Sequence, residues 1–113
     1  MSEAEETAPD YHLLLDPDEV PVTGSAVRLY LSDEAHQPEI QAIGREVLSG
    51  LEAEPGENDV LSMPLTAKQM KIVFFAVRLL INDLQREQAD EREILWRVLG
   101  KLPDEHVMRA IEI

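Results

Sequence analysis

Apolar residues recur at steps of three and four along the second half of the chain, most densely between residues 70 and 84. There they cover more than one face of a helix, which is typical of a helix buried at the centre of a domain. Thr66 and Gln69 have the spacing of a capping box, and Leu65 and Met70 have that of a hydrophobic staple. The pattern therefore predicts a long central helix that begins at Thr66.

A polar stretch over residues 85–93 leaves open whether this helix continues or breaks at residues 86–90. Asp90 and Glu93 repeat the cap spacing, which favours a fresh start near Asp90. Gly100 is placed to end this second helix in a left-handed turn, and Pro103 suits the first position of a short C-terminal helix. The second half thus predicts a helical hairpin followed by one short helix.

The first half repeats the layout of the second at an offset of 50 residues. Residues 15–20 carry the same cap and staple pattern as residues 65–70, and residues 26–33 share five of eight identities with residues 76–83. At an offset of 51 the apolar residues of a second helix also match, as Val47, Leu48 and Leu51 correspond to Val98, Leu99 and Leu102. We interpret this correspondence as an internal duplication.

The duplication predicts a mainly α fold with two helical hairpins, over about residues 15–51 and 65–102, and a short C-terminal helix. The apolar segments 11–15 and 60–65 are candidates for a minor two-stranded ribbon. An alternative is an α+β fold with a strand at residues 26–32, because apolar and other residues alternate there. In the helical interpretation the first helix spans about residues 17–33 and is distorted at Pro21.

Domain organisation follows from composition. Residues 1–10 are acidic and poor in apolar residues, which predicts a disordered acidic tail. Residues 11–113 are of a length that fits a single helical domain, with an acidic linker at residues 52–59 between the hairpins. Gly24 stands where Phe74 stands in the second hairpin, so we expect Phe74 or Phe75 to lie over Gly24.

Charge is distributed unevenly along the chain. Residues 1–67 contain 15 acidic and 2 basic side chains, whereas residues 68–113 contain 8 of each, so the net charge of −13 lies entirely in the first part. A surface of this sign disfavours direct binding to nucleic acid or anionic membranes and favours a basic protein partner. No secretory signal is visible after Met1, which predicts a cytoplasmic location.

Recognisable catalytic patterns are absent from the sequence. It contains no phosphate-binding glycine loop, no nucleophile elbow, no zinc-protease motif and no cysteine, so we expect neither an enzyme nor a bound cofactor. Asp33 and His36 have the spacing of a metal pair on a helical turn, but the equivalent residues in the second hairpin are Asp83 and Arg86. We therefore predict no metal site.

Three residues are candidates for an interface or a ligand site. Arg28 and Arg78 occupy equivalent positions on otherwise apolar helices, where they either form structural ion pairs or grip a carboxylate or phosphate together. Trp96, the single tryptophan, lies beside the apolar stripe of the second hairpin. An exposed tryptophan at that place would indicate an interface.

These observations lead to three functional hypotheses. The first is a small acidic cytosolic regulator or adaptor that acts by protein–protein interaction, with a homodimer through residues 70–84 as one form of it. The second is a small-ligand-binding protein or minor enzyme with Arg28 and Arg78 in a cleft on the pseudo-twofold axis. The third is an inhibitor that mimics the charge of DNA.

Overall fold

The computed structural model describes residues 11–32, 38–52, 59–84, 88–103 and 105–111. In this part of the chain a strand and two helices are followed by a second strand, two further helices and a short last helix. The strands are β1 (Tyr11–Leu15) and β2 (Leu61–Leu65), and the helices are α1 (Glu19–Leu31), α2 (Pro38–Leu51), α3 (Ala67–Asp83), α4 (Ala89–Gly100) and α5 (Glu105–Ala110). The predicted two helical hairpins, C-terminal helix and minor ribbon are confirmed. The predicted acidic tail and residues 53–58 of the predicted linker lie outside the described residues.

The two strands form an antiparallel ribbon whose centre is the pair Leu13 and Met63. The first residue of each strand pairs with the last residue of the other: Tyr11 pairs with Leu65, and Leu61 pairs with Leu15. A local twofold axis of the ribbon therefore passes between Leu13 and Met63, its central pair. Five leucine and methionine side chains on one face of the ribbon are buried, while the other face is exposed: the buried residues are Leu13, Leu15, Leu61, Met63 and Leu65.

The two central helices, α1 and α3, pack on each other more extensively than any other pair of described helices. Ala26 and Val27 of α1 and their counterparts Ala76 and Val77 of α3 are fully buried. Each outer helix, α2 or α4, contacts both central helices, and α5 packs on α3. The core is thus mainly aliphatic and lies where the two hairpins and the ribbon meet.

The central helices begin with related hydrogen bonds. The Gln69 side chain accepts from the Thr66 amide at 3.0 Å, and the Thr66 hydroxyl accepts from the Gln69 amide at 3.2 Å, which completes the predicted capping box. At the start of α1 the Glu19 side chain accepts from the Asp16 amide at 2.8 Å. Asp18 precedes the first helical residue there and makes no side-chain cap hydrogen bond. The Glu19 amide donates to the Asp16 backbone carbonyl at 2.9 Å, where the Gln69 amide donates to the Thr66 side chain, so the start of α1 shares one of the two bonds of the box.

Several local expectations need correction. The alternative strand at residues 26–32 is wrong, because α1 is helical through Leu31. Pro21 does not interrupt α1, because it is the third helical residue and its position has no amide partner within the helix to lose. The fresh helix start that the sequence favoured near Asp90, in contrast, agrees with the structure, since α3 ends at Asp83 and α4 begins at Ala89.

Glycine positions also differ from expectation. A Cβ atom at Gly24 would lie 3.6 Å from the Arg28 guanidinium and 3.8 Å from Leu51, so these residues, and neither phenylalanine, are its nearest neighbours. No described glycine has a positive φ, so Gly100 closes α4 in ordinary helical conformation and not in a left-handed turn. At Gly44 a Cβ atom would lie 2.5 Å from the Leu31 side chain, which shows how closely α2 approaches the end of α1.

Candidate functional site

An open groove lies between α3 and the end of α4, and we call it the Trp96 groove. Its volume is about 360 Å³ and its lining residues are Phe74, Arg78, Trp96, Leu99, Gly100, Leu102 and Pro103. Trp96 is 53% exposed, which is high for the largest apolar side chain of the protein. The helical spacing of Trp96, Leu99 and Gly100 turns all three toward the same side of α4.

The groove combines an apolar wall with one cation. The Arg78 guanidinium carbon lies 5.9 Å from the centre of the Phe74 ring, within range of a cation–π interaction. Phe74 in turn packs edge-to-face on Phe75, with ring centres 5.2 Å apart. Arg78 and Trp96, two of the three residues predicted from the sequence, thus line one groove.

Arg28, the third predicted residue, is not among the residues that line the Trp96 groove. It is exposed on α1, and its guanidinium lies beside Gly24 near Leu51. This arrangement matches the second hairpin, where Arg78 lies over Phe74 near Leu102. Each arginine therefore covers the residue four positions earlier on its own helix, next to the last core leucine of its own hairpin.

A second constellation surrounds Glu19, whose side chain is fully buried. Lys101 Nζ donates to Glu19 Oε1 at 2.5 Å and to the Leu14 carbonyl at 2.8 Å. The Asp16 amide donates to the same carboxylate oxygen at 2.8 Å. Arg97 Nε lies 3.8 Å from Glu19 Oε2, too far for a hydrogen bond but close enough for charge attraction. The buried negative charge is thus balanced by two basic residues of α4 and the turn after it.

Two further carboxylates join this group, which we call the Glu19 cluster: Asp16, Asp18, Glu19, Arg97 and Lys101. Carboxylate oxygens of its three acidic residues lie within 4.8 Å of one another. Arg97 donates to Asp18 at 2.6 Å, and this hydrogen bond raises the pKa of Arg97 above its ordinary value. Because Lys101 and Arg97 already contact the carboxylates, the cluster is an ion-pair network that ties α4 to the start of α1.

A smaller cavity opens at the other end of the ribbon, between α2 and β2. Its volume is about 160 Å³, and we call it the Gly50 pocket after one of its lining residues. Its lining residues are Glu46, Val47, Gly50, Ser62, Met63, Pro64, Leu65 and Gln69. The Gln69 side-chain Nε2 donates to Glu46 Oε1 at 3.1 Å. The pocket therefore has apolar walls and a carboxylate beside them.

The apolar face of residues 70–84, which the sequence offers for a homodimer, is used within the chain. Eight of its side chains are buried, and Leu79 is the large apolar residue of this helix that is clearly exposed, at 42%. The predicted Asp33–His36 pair lies outside the described residues.

Sequence reasoning did not identify the Glu19 cluster or the Gly50 pocket. Glu19 was recognisable only as part of a cap, and its contact with Lys101 joins residues 82 positions apart. One sequence signal bears on both, since the correspondence at offset 51 places Lys101 opposite Gly50 and Arg97 opposite Glu46.

Comparisons with protein-family profiles, curated proteins and solved structures found no match for this chain. None of the helices in the described residues is long and apolar enough to cross a membrane.

Proposed function

We propose that this protein acts by binding another protein, as a regulator or adaptor without catalysis of its own, and that the Trp96 groove receives an apolar side chain of that partner. The observation that carries the proposal is Trp96 itself, 53% exposed beside Arg78 in an open groove of about 360 Å³. Tryptophan and arginine are the residue types that most often dominate the binding energy of an interface. Covering the exposed part of the indole removes apolar area from water, which favours association.

The charge of the chain supports a basic partner. The net charge is −13, and all of it comes from residues 1–67. Such a field attracts a positively charged protein and speeds its encounter, while it repels nucleic acid. We place the protein in the cytoplasm, a location that suits a chain without cysteine.

We also infer that the two hairpins arose by duplication of one β–α–α unit. The strands of the ribbon support this inference, because β1 and β2 have the same length and their bounds differ by 50 residues at both ends. The equivalent bonds from Glu19 to the Asp16 amide and from Gln69 to the Thr66 amide support it independently.

The test uses the single tryptophan as its own probe. We expect the free protein to emit with the wavelength of a solvated indole, and the emission to shift to the blue when the partner covers Trp96. Immobilised wild-type protein should retain a basic protein from a native lysate, and Trp96→Ala should reduce the retained amount at least tenfold. Leu79→Ala, which removes another exposed apolar side chain from α3, is the matched control and should retain the partner as the wild type does.

Equal retention by the Trp96 and Leu79 variants would contradict the proposed docking site. A protein that retains no partner, but whose Tm rises with a small anion, would favour the ligand-binding hypothesis through Arg78. Sedimentation of the purified chain tests separately whether it associates with a second copy of itself.

A further inference from the structure

The Glu19 cluster and the Gly50 pocket occupy equivalent places at the two ends of the ribbon. In each, a residue in the first turn of a central helix contacts a residue of the outer helix from the other hairpin. Glu19 lies 3.8 Å from Arg97 at one end, and Gln69 lies 3.1 Å from Glu46 at the other. Offsets of 50 and 51 relate the members of these two contacts.

The two ends also differ in whether a long side chain fills the space beside the ribbon. At the first end Lys101 reaches along the ribbon, and its ammonium group contacts Glu19 at 2.5 Å and the Leu14 carbonyl at 2.8 Å. At the second end the equivalent position is Gly50, and the corresponding space is the 160 Å³ pocket. The position of Lys101 at the first end therefore indicates how a lysine side chain could fit into the Gly50 pocket at the second end.

The hydrogen-bond acceptors around the pocket are suited to an ammonium group. The Leu14 carbonyl faces away from β2, since it accepts from Lys101, and the alternation of an antiparallel ladder turns the Pro64 carbonyl outward in the same way. Proline fits such an outward position because it has no amide to give to the ladder. Glu46 adds a negative charge, and one of its two carboxylate oxygens accepts a hydrogen bond from the Gln69 side-chain Nε2.

We propose that the Gly50 pocket binds a lysine side chain of a protein partner, which occupies the space that Lys101 fills at the other end. Val47, Met63 and Leu65 would pack on the aliphatic stem, and Glu46 and the Pro64 carbonyl would accept from the ammonium group. At about 160 Å³ the cavity lies well below the roughly 300 Å³ at which small-molecule sites begin, so it suits a single side chain. This inference rests on the proposed function, because it assigns a contact to the same basic partner.

The experiment titrates isotope-labelled protein with a peptide that carries one lysine flanked by alanines, with both ends blocked. We expect saturable shifts of the Gly50, Ser62 and Met63 amide signals, with a Kd on the order of 1 mM, as suits a single side chain. The same peptide with an acetylated lysine keeps the stem but loses the charge, and it should produce at least tenfold weaker binding.

The Gly50→Lys variant supplies a lysine in place and should abolish these shifts. A Cβ atom there lies 3.3 Å from the Met63 sulfur, which has a flexible side chain and can move by the few tenths of an ångström required. Ser49→Lys adds the same charge one residue earlier on the exposed side of α2 and is the matched control. Equal binding by the Gly50 and Ser49 variants, or shifts spread over the acidic surface without saturation at Gly50, would overturn the proposal.

Retention of the partner separates this inference from the proposed function. If Trp96→Ala loses the partner but Gly50→Lys retains it, the lysine site is wrong and the docking function stands. If the peptide saturates the Gly50 pocket but no partner protein is retained, the lysine site stands and the docking function is wrong.

Discussion

Glu19 shows how a residue that looks solvated in the sequence becomes part of the interior. As a first-turn glutamate it would be expected at the surface, where it interacts favourably with the positive end of a helix. In the structure it is fully buried, and its Oε1 accepts from Lys101 and the Asp16 amide, whereas its buried Oε2 has no hydrogen-bond partner and lies 3.8 Å from Arg97. A buried charge is tolerated only with such partners, so the stability of the first hairpin depends on Lys101.

Replacement of Lys101 by alanine should therefore destabilise the protein by about 3 kcal/mol, since it leaves the buried Glu19 carboxylate without its main partner. Lys68→Ala is the matched control, because Lys68 pairs with Glu39 at 2.8 Å where both side chains are about half exposed. Loss of such a surface pair should cost about 0–1 kcal/mol. Urea unfolding followed by Trp96 fluorescence measures both values.

A second variant separates charge from packing at this site. Gln69 occupies the equivalent place in α3 and makes the same bond to a backbone amide, so glutamine is compatible with the position of Glu19. The double variant Glu19→Gln with Lys101→Met should recover most of the stability that Lys101→Ala loses. Equal losses of unfolding free energy in Lys101→Ala and Lys68→Ala would refute the proposed contribution of the Glu19–Lys101 pair to stability.

At the scale of elements, the features that the sequence predicted best depend on neighbouring residues. The capping box at Thr66 and Gln69 was predictable because its two bonds join residues three apart. The alternation of residues 26–31 favoured a strand, and the comparison with residues 76–81 favoured the helix that the structure shows. Pro21 looked disruptive because the exact first residue of α1 could not be read from the sequence.

The helix starts give a prediction at this scale. Thr66→Ala removes the cap hydroxyl that accepts from the Gln69 backbone amide and should lower the free energy of unfolding by about 1 kcal/mol. Asp18→Ala is the matched change at the start of α1, where no side-chain cap bond exists, so only its exposed ion pair with Arg97 is lost. In the same thermal or urea unfolding measurement, we expect Asp18→Ala to lower the free energy of unfolding by less than half as much as Thr66→Ala. A larger loss from Asp18→Ala would show that α1 depends on its first turn in another way.

The candidate site was only partly predictable, because its contacts cross the molecule. Trp96 and Arg78 were recognisable as unusual residues on apolar helices, and they meet because α3 and α4 belong to one hairpin. The sequence left open whether Arg28 forms a structural ion pair or shares a ligand site with Arg78, and in the structure Arg28 lies beside Gly24 and does not line the Trp96 groove. The Glu19 cluster required knowledge of how the second hairpin returns to the first, which no local pattern contains.

At the scale of the whole molecule the uneven charge governs association with a partner. Reversal of two exposed carboxylates of the acidic part, Glu39→Lys with Glu52→Lys, should lower the association rate of a captured basic partner several-fold. Glu91→Lys with Glu93→Lys makes the same change in net charge on α4, within the balanced part of the chain, and should have a smaller effect. The dissociation rate should change little in either variant.

Salt provides the check on this prediction. Raising the ionic strength from about 0.01 M to 0.15 M shortens the screening length from roughly 30 Å to 8 Å and should bring the two variants toward the wild-type rate. Equal association rates for the two pairs at low salt would show that only the total charge matters, and that its position along the chain does not.

The two strands pair symmetrically about Leu13 and Met63, so that equivalent parts of the two hairpins contact each other across a local twofold axis. Contacts of this kind are isologous, like those between the subunits of a twofold-symmetric dimer. Two separate copies of one β–α–α unit would need no new geometry to associate in this way. In a single chain, however, the two ends of the ribbon can differ in sequence. One end then contains its own lysine, Lys101, whereas the other end has Gly50 and would take a lysine from a partner.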